Sequence, residues 1–153
     1  MCIRDRHRLE DVLWVRGVRF VNDSKATTVD ATLKALDSFD RPIILILGGR
    51  GKGGDFAPLR PAVRRRARSV VLVGEAADKI EAALGGVVPV VRAANYRTLV
   101  RTAFGLAARG DVVLLAPACT SWDMFEDFEE RGRVYKREVR RLAASLTREG
   151  SRR

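Results

Sequence analysis

Three stretches carry side chains whose types and spacing could do chemistry: Asn22 to Thr27, Gly48 to Asp55, and Pro117 to Gly132. In the first, Asp23 can accept two hydroxyl hydrogen bonds, as from a ribose, while Lys25 and Thr27 can contact an anion. Asp, Ser and Thr are also ordinary turn and N-cap residues, so capping alone could account for Thr27 and Thr28. The second, Gly48-Gly-Arg-Gly-Lys-Gly-Gly54, invites comparison with a phosphate-binding P-loop because Lys52 follows Gly51. The spacing refuses it: Ile46 stands where the first glycine belongs, and Gly53 where a Ser or Thr would hold magnesium. Backbone donors with one lysine leave two readings, a carboxylate or phosphate pocket and a loose surface loop.

The third stretch is unusually rich for a connector, with a hydroxyl pair at Thr120 and Ser121, aromatics at Trp122, Phe125 and Phe128, a run of carboxylates, and then Arg131-Gly132. Ser121 has no His or Asp in a usable nucleophile motif, which argues against triad chemistry. Cys119 reads as a small packed residue rather than a nucleophile. The carboxylates from Asp123 to Glu130 read as a solvated acidic cap at a helix start, where negative charge is favourable.

The elements that must position these loops follow from hydrophobic patterning. Leu9 to Val15 and Val18 to Val21 alternate around Arg16-Gly17 as a hairpin would. Thr27 or Thr28 is placed to cap a helix carrying Val29, Leu33 and Leu36. Ile43 to Leu47 is a continuous apolar run, as in a strand buried on both faces. After a helix beyond Phe56 come strand Ser69 to Val73, helix Ala76 to Leu84, strand Val87 to Val91, helix Tyr96 to Ala108, strand Asp111 to Ala116 and a last helix from Phe128 to Leu146. Strands separated by helices imply right-handed crossovers, hence a Rossmann-like α/β domain with a mostly parallel sheet and helices on both faces. Each of the three loops follows a strand, so all three are expected on one rim of that sheet.

Composition bounds the rest. The 153 residues suffice for one domain, and the 46% hydrophobic fraction fits a globular one. No apolar run approaches the roughly 20 residues of a membrane helix, which points to a cytoplasmic protein with no membrane partner. Cys2 and Cys119 cannot build a disulfide framework, and His7, the single histidine, leaves no cluster suited to zinc. The net charge of +10 is concentrated in Arg60 to Arg68 and Arg131 to Arg153. Both look helical, so solvated basic faces are preferred over a nucleic-acid surface. Met-Cys-Ile-Arg-Asp-Arg6 back-translates to a sequence resembling a transposon-end adapter, so residues 1–6 are expected to be a sequencing scar, residues 7–148 the domain, and residues 149–153 a frayed tail.

Taken together, Asn22-Asp-Ser-Lys-Ala-Thr27, Leu47-Gly-Gly-Arg-Gly-Lys-Gly-Gly-Asp-Phe56 and Leu115 to Gly132 resemble the C-terminal domain of the D-glutamate-adding branch of the Mur ligase family, in family order and over His7 to Leu146. That resemblance implies a three-domain, monomeric enzyme of peptidoglycan synthesis that uses ATP and Mg2+ to convert the alanyl carboxylate of UDP-N-acetylmuramoyl-L-alanine into an acyl phosphate, which the amine of D-glutamate then attacks. It implies that Thr27, Lys52 and Ser121, with backbone groups near Trp122 and Phe128, hold D-glutamate. Arg8 and Asp23 would contact the nucleotide ribose and its surroundings, with Lys25 on the phosphate side. None of these would be a nucleophile or general base. Thr120, Trp122 and Thr28 depart from the residues more usual in that branch, but no charged clamp residue is lost. The central ATPase domain, with its P-loop and magnesium ligands, and the uridine-nucleotide domain have no counterpart in this chain, so the fragment alone is expected to be inactive. The rival readings are a Mur or folylpolyglutamate-type ligase for another amino acid, and a non-enzymatic module binding small anions or nucleic acid.

Overall fold

The computed structural model describes residues 6–51 and 54–151. The chain opens with an antiparallel hairpin, β1 (Glu10–Val15) and β2 (Val18–Asn22). Arg16 and Gly17 both have positive φ, 47° and 83°, the conformation whose twist suits a two-residue hairpin turn. Then follow α1 (Val29–Leu36), β3 (Ile43–Gly48), a single 3-10 turn (Ala57–Leu59) running into α2 (Arg60–Arg66), β4 (Ala67–Val73), α3 (Ala77–Leu84), β5 (Val90–Arg92), α4 (Tyr96–Leu106), β6 (Val112–Leu115) and α5 (Phe128–Ser151).

The strands form one sheet in the order β1-β2-β6-β3-β4-β5, parallel throughout except for β1. Ile43, Leu45 and Leu47 pack with Leu36, Leu59, Val63 and Ile80 from α1 to α3 on one face. Ile44 and Ile46 pack with Leu99, Val100, Tyr135 and Val139 from α4 and α5 on the other. Burial on both faces is why the strand reads as an unbroken apolar run rather than an alternation.

Several boundaries differ from the sequence expectation: β4 begins two residues earlier, at Ala67, α4 ends two earlier, at Leu106, and β6 is trimmed to Val112–Leu115. The strand expected over Val87 to Val91 is shorter and later, because Pro89 has no N–H to give to a ladder: its carbonyl accepts from Val70 N at 3.0 Å, and pairing begins at Val90. The last helix continues past Leu146 to Ser151.

The order of strands creates the position that matters. From β3 the chain moves outward through β4 and β5, then returns by α4 to place β6 on the other side of β3. The segments leaving β3 and β6 therefore diverge to opposite faces, α2 to one and α5 to the other, and a crevice opens between them at the carboxyl ends of the strands.

Candidate functional site

The loops after β2, β3 and β6 are bonded into one unit at that crevice. Arg50 and Thr120 form an antiparallel bridge, with N–O distances of 2.9 and 3.0 Å, and the Thr120 hydroxyl also donates to the Arg50 carbonyl at 3.0 Å. Gly48 N donates to Pro117 O at 3.1 Å, and Ala118 N to Ala26 O at 2.9 Å. Gly49 lies so close to this bridge that a side chain there would meet the Thr120 carbonyl, and its φ of 137° disfavours any L side chain as well. Ala118 sits at φ 60°, a left-handed conformation that costs about 1 kcal/mol for a residue with a Cβ and that the bonds around it hold in place.

Two chambers flank the Ala26–Ala118 contact. Arg8, Asp23 and Lys25 line the first, about 300 Å³, together with Leu9 and Lys34. Asp23 is 5% exposed and accepts a hydrogen bond from Leu9 N at 3.3 Å. Burial pushes its carboxyl up to about 6, against the pull of that hydrogen bond and of Arg8 and Lys25. Thr27 lines the second chamber, about 320 Å³, with Thr28, Gly54, Asp55, Phe56 and Ala118. Thr28 is the residue that caps α1, its hydroxyl accepting from Ala31 N at 3.2 Å, so the Thr27 hydroxyl is not spent on capping. Lys52 and Gly53 lie outside the described residues; Gly54, next in sequence, lines this chamber.

The stretch after β6 is more structural than its sequence suggests. Ser121 is buried, and its carbonyl accepts from Met124 N and Phe125 N at 3.1 and 2.7 Å, which turns the chain so that Trp122 is 63% exposed. The carboxylates read as a solvated cap divide their work. Asp127 caps α5 by accepting from Glu130 N at 2.8 Å, and Asp123 accepts from Glu75 N at 3.0 Å, fixing the loop after β4. Phe128 begins α5, so its amide has no acceptor within the helix, while its carbonyl accepts from the Ser24 hydroxyl at 2.7 Å. Burial pushes the Cys119 thiol up to about 11, leaving it protonated and in keeping with a packed residue.

Sequence reasoning assigned no role to Arg131, yet it is the largest fully buried side chain in the protein among the described residues. Its Nε donates to the Ser24 hydroxyl at 2.9 Å and its Nη2 to the Ser24 carbonyl at 2.8 Å. Its Nη1 is buried beside Gly49 with no hydrogen-bond partner among the described residues. Burial lowers the pKa of this guanidinium. A buried cation with no ion pair among the described residues, Asp123 acting on it only at longer range, is costly to keep, and a carboxylate or phosphate beside Nη1 would relieve the cost.

His7, the single histidine of the sequence, is the centre of a second buried network. Asn22 Oδ1 accepts from Ser24 N at 3.1 Å, which orients the amide so that Nδ2 donates to His7 Nδ1 at 2.8 Å and to Glu10 at 3.0 Å. The imidazole packs on Gly132, where any side chain would collide with it, and edge-on to Phe128 at 6.3 Å. Arg131-Gly132 thus ties α5 to the loop after β2 on one side and to the strap bearing Arg8 on the other.

A mostly parallel sheet with two chambers at its switch point, one carrying cations and a buried carboxylate and the other a threonine hydroxyl, defines an α/β domain of the Rossmann-like class. The family described as "Mur ligase, glutamate ligase domain" matches residues 7–119, and the chain belongs to the Mur ligase family. It is 53% identical over 137 residues to the UDP-N-acetylmuramoylalanine--D-glutamate ligase of Salinibacter ruber, covering 89% of this chain and 30% of that one. The enzyme of the same name from Solibacter usitatus is 52% identical over 136 residues, covering 89% and 31%. Among solved structures, the MurF ligase of Thermotoga maritima in complex with ADP superposes with a TM-score of 0.56 at 16% identity, over 90% of this chain and 32% of that one. A domain of a Haemophilus ducreyi ligase does so with a TM-score of 0.53 at 19% identity, over 86% and 99%. These likenesses establish the fold. The chain spans about 30% of the length of the curated relatives it matches.

Proposed function

We propose that this chain is the amino-acid-binding C-terminal domain of an ATP-dependent ligase that joins D-glutamate to UDP-N-acetylmuramoyl-L-alanine. The observation that carries the reading is the pair of chambers on either side of Ala26, within one short loop, in a chain about half identical to relatives of that name. The alanyl carboxylate attacks the γ-phosphorus of ATP and ADP leaves; the D-glutamate amine then attacks the acyl carbon and phosphate leaves. A bare carboxylate does not form an amide readily in water, so the activation is required, and what remains for this domain is orientation.

In this reading the first chamber takes part of ATP. Asp23 accepts the ribose hydroxyls, Arg8 lies beside it, and Lys25 faces phosphate oxygens. The second takes D-glutamate, a dicarboxylate that calls for a cation, hydroxyls and N–H donors. Thr27 supplies a hydroxyl there. Lys52 would add a cation, and Ser121 with the backbone at Trp122 and Phe128, which lie outside the chamber's lining, would add the donors from the stretch after β6. Arg131 Nη1, buried beside Gly49, is a further cation next to the loop after β3. The Thermotoga maritima relative was solved with ADP, consistent with ATP as the activating nucleotide. Mg2+ would accompany ATP, but no group of three His, Cys, Asp or Glu placed to hold a metal exists among the described residues, so no step here runs through it.

The test is a chimera in which residues 7–148 replace the matching segment of the Salinibacter ruber ligase. It is expected to release ADP only when D-glutamate and UDP-N-acetylmuramoyl-L-alanine are both present. A chimera that turns over with L-lysine or diaminopimelate and not with D-glutamate would refute the assignment.

A further inference from the structure

The opposite pole of the sheet, at the amino ends of β3, β4 and β6, carries features that the ligase reading does not use. A pocket of about 300 Å³ is lined by Arg41, Arg65, Arg66 and Arg68, with Asp40 the carboxylate in its lining and Asp37 3.9 Å from Arg66 Nη2 beside it. Two of the arginines are fixed. Arg68 is bidentate to buried Asp111 at 2.7 and 3.2 Å, and Arg66 Nη1 donates to the Phe39 carbonyl at 3.1 Å. The Nε of Arg66 is nevertheless buried with no hydrogen-bond partner among the described residues. Arg41 and Arg65 are exposed and unneutralised by any ion pair among the described residues. The last turn of α2 tolerates cations because of its macrodipole, which accounts for Arg64 to Arg66 singly. It does not account for Arg41 and Arg68 converging on the same hollow from the other side.

Asp40 and Arg41 are shared with an adjoining pocket of about 320 Å³ that contains Trp14, Arg19 and Phe39. Trp14 is 61% exposed on the edge strand β1. The Arg19 guanidinium lies 5.9 Å from the Trp14 ring and 5.3 Å from Phe39, and is held there by Asp11 at 2.7 and 3.0 Å. An exposed indole braced by a guanidinium is a surface on which a flat ring can stack, and its neighbour is a hollow for an anion.

We propose that this pole binds a nucleotide unit, the base stacked on Trp14 and the phosphate held by Arg41, Arg65 and Arg66. The unit could belong to a free nucleotide or to a single strand, since both offer a base beside a phosphate. The inference is independent of the rim site and revises the expectation that the basic charge is only a solvated face.

The experiment titrates the 153-residue chain with a fluorescein-labelled twelve-nucleotide oligo(dT), following anisotropy at several salt concentrations. A Trp122→Phe background leaves Trp14 as the only indole and reports stacking as quenching. The Arg41→Ala/Arg65→Ala pair, both at exposed positions, is expected to weaken binding about tenfold or more and to reduce the logarithmic salt slope by about 1.4. Trp14→Ala is expected to weaken it about tenfold at an unchanged slope. Competition by AMP that quenches Trp14 supports the proposal with a free nucleotide as source. Oligonucleotide binding that needs Trp14 and the arginine pair but resists AMP supports it with a strand as source. Equal loss of affinity in a control Arg97→Ala/Arg101→Ala pair on α4, or displacement by inorganic phosphate as effective as AMP with no quenching, would overturn it.

Discussion

Asp23 has conflicting demands placed on it. The Leu9 N–H and the neighbouring Arg8 and Lys25 favour the carboxylate, yet burial outweighs them and holds the group near 6. In the unfolded chain an aspartate titrates near 3.8. Between those values the folded state binds the proton more tightly, so stability falls as pH rises from about 4 to about 6, and above that the full cost of the buried charge, up to about 3 kcal/mol, remains. Asp23→Asn keeps an acceptor for Leu9 N and removes the charge. It is expected to raise the melting temperature at pH 7.5, to leave it unchanged at pH 4, and to abolish nucleotide binding at the first chamber. Urea denaturation across pH 4–8 checks the first two expectations; a variant with the parent's pH slope would remove Asp23 as its source. The destabilising charge is then retained for the ligand, as buried titratable groups at functional sites commonly are.

At the scale of elements, the N-terminus of α1 sets a capping hydroxyl beside one that, on the proposed reading, serves a ligand. Thr28→Ala removes the cap on Ala31 N and should cost about 1 kcal/mol while leaving D-glutamate affinity of the chimera unchanged. Thr27→Val should do the reverse, holding stability within about 0.5 kcal/mol and raising the D-glutamate KM several-fold. If both variants lose only stability, Thr27 is a turn residue and nothing more. The sequence left that choice open, because either threonine fits a cap pattern. It was more informative about the sheet: two-sided burial writes itself into Ile43 to Leu47, and the hairpin into Arg16-Gly17. The placement of the three loops on one rim was also legible, since each follows a strand. What was not legible depends on contacts without local periodicity. Arg131 reaches Ser24 across 107 residues, and nothing in the helical pattern of α5 distinguishes an arginine turned inward from one turned out. His7 meets Asn22 and Gly132 only after the strap, hairpin and helix have assembled.

The whole molecule has two chemically different poles, a rim of mixed charge where three loops interlock and a base dominated by arginine and an exposed indole. On the proposed reading the rim forms one wall of a ligase site whose other walls belong to the part of the relatives that this chain does not span. A wall can bind and orient, but in-line phosphoryl transfer also needs groups that hold the γ-phosphate and neutralise developing charge on it. The rim supplies Lys25, Arg8 and the buried Arg131, and no nucleophile or metal cluster among the described residues. The purified 153-residue chain is therefore expected to show no ATP hydrolysis above the uncatalysed rate, with or without D-glutamate, while unfolding cooperatively as the two-sided core implies. Phosphate release followed over hours at millimolar ATP checks this. Turnover that survives in a Lys25→Ala/Asp23→Asn variant would place a complete catalytic site elsewhere on this chain, whereas turnover that is lost in it would mean that the rim alone can complete the site.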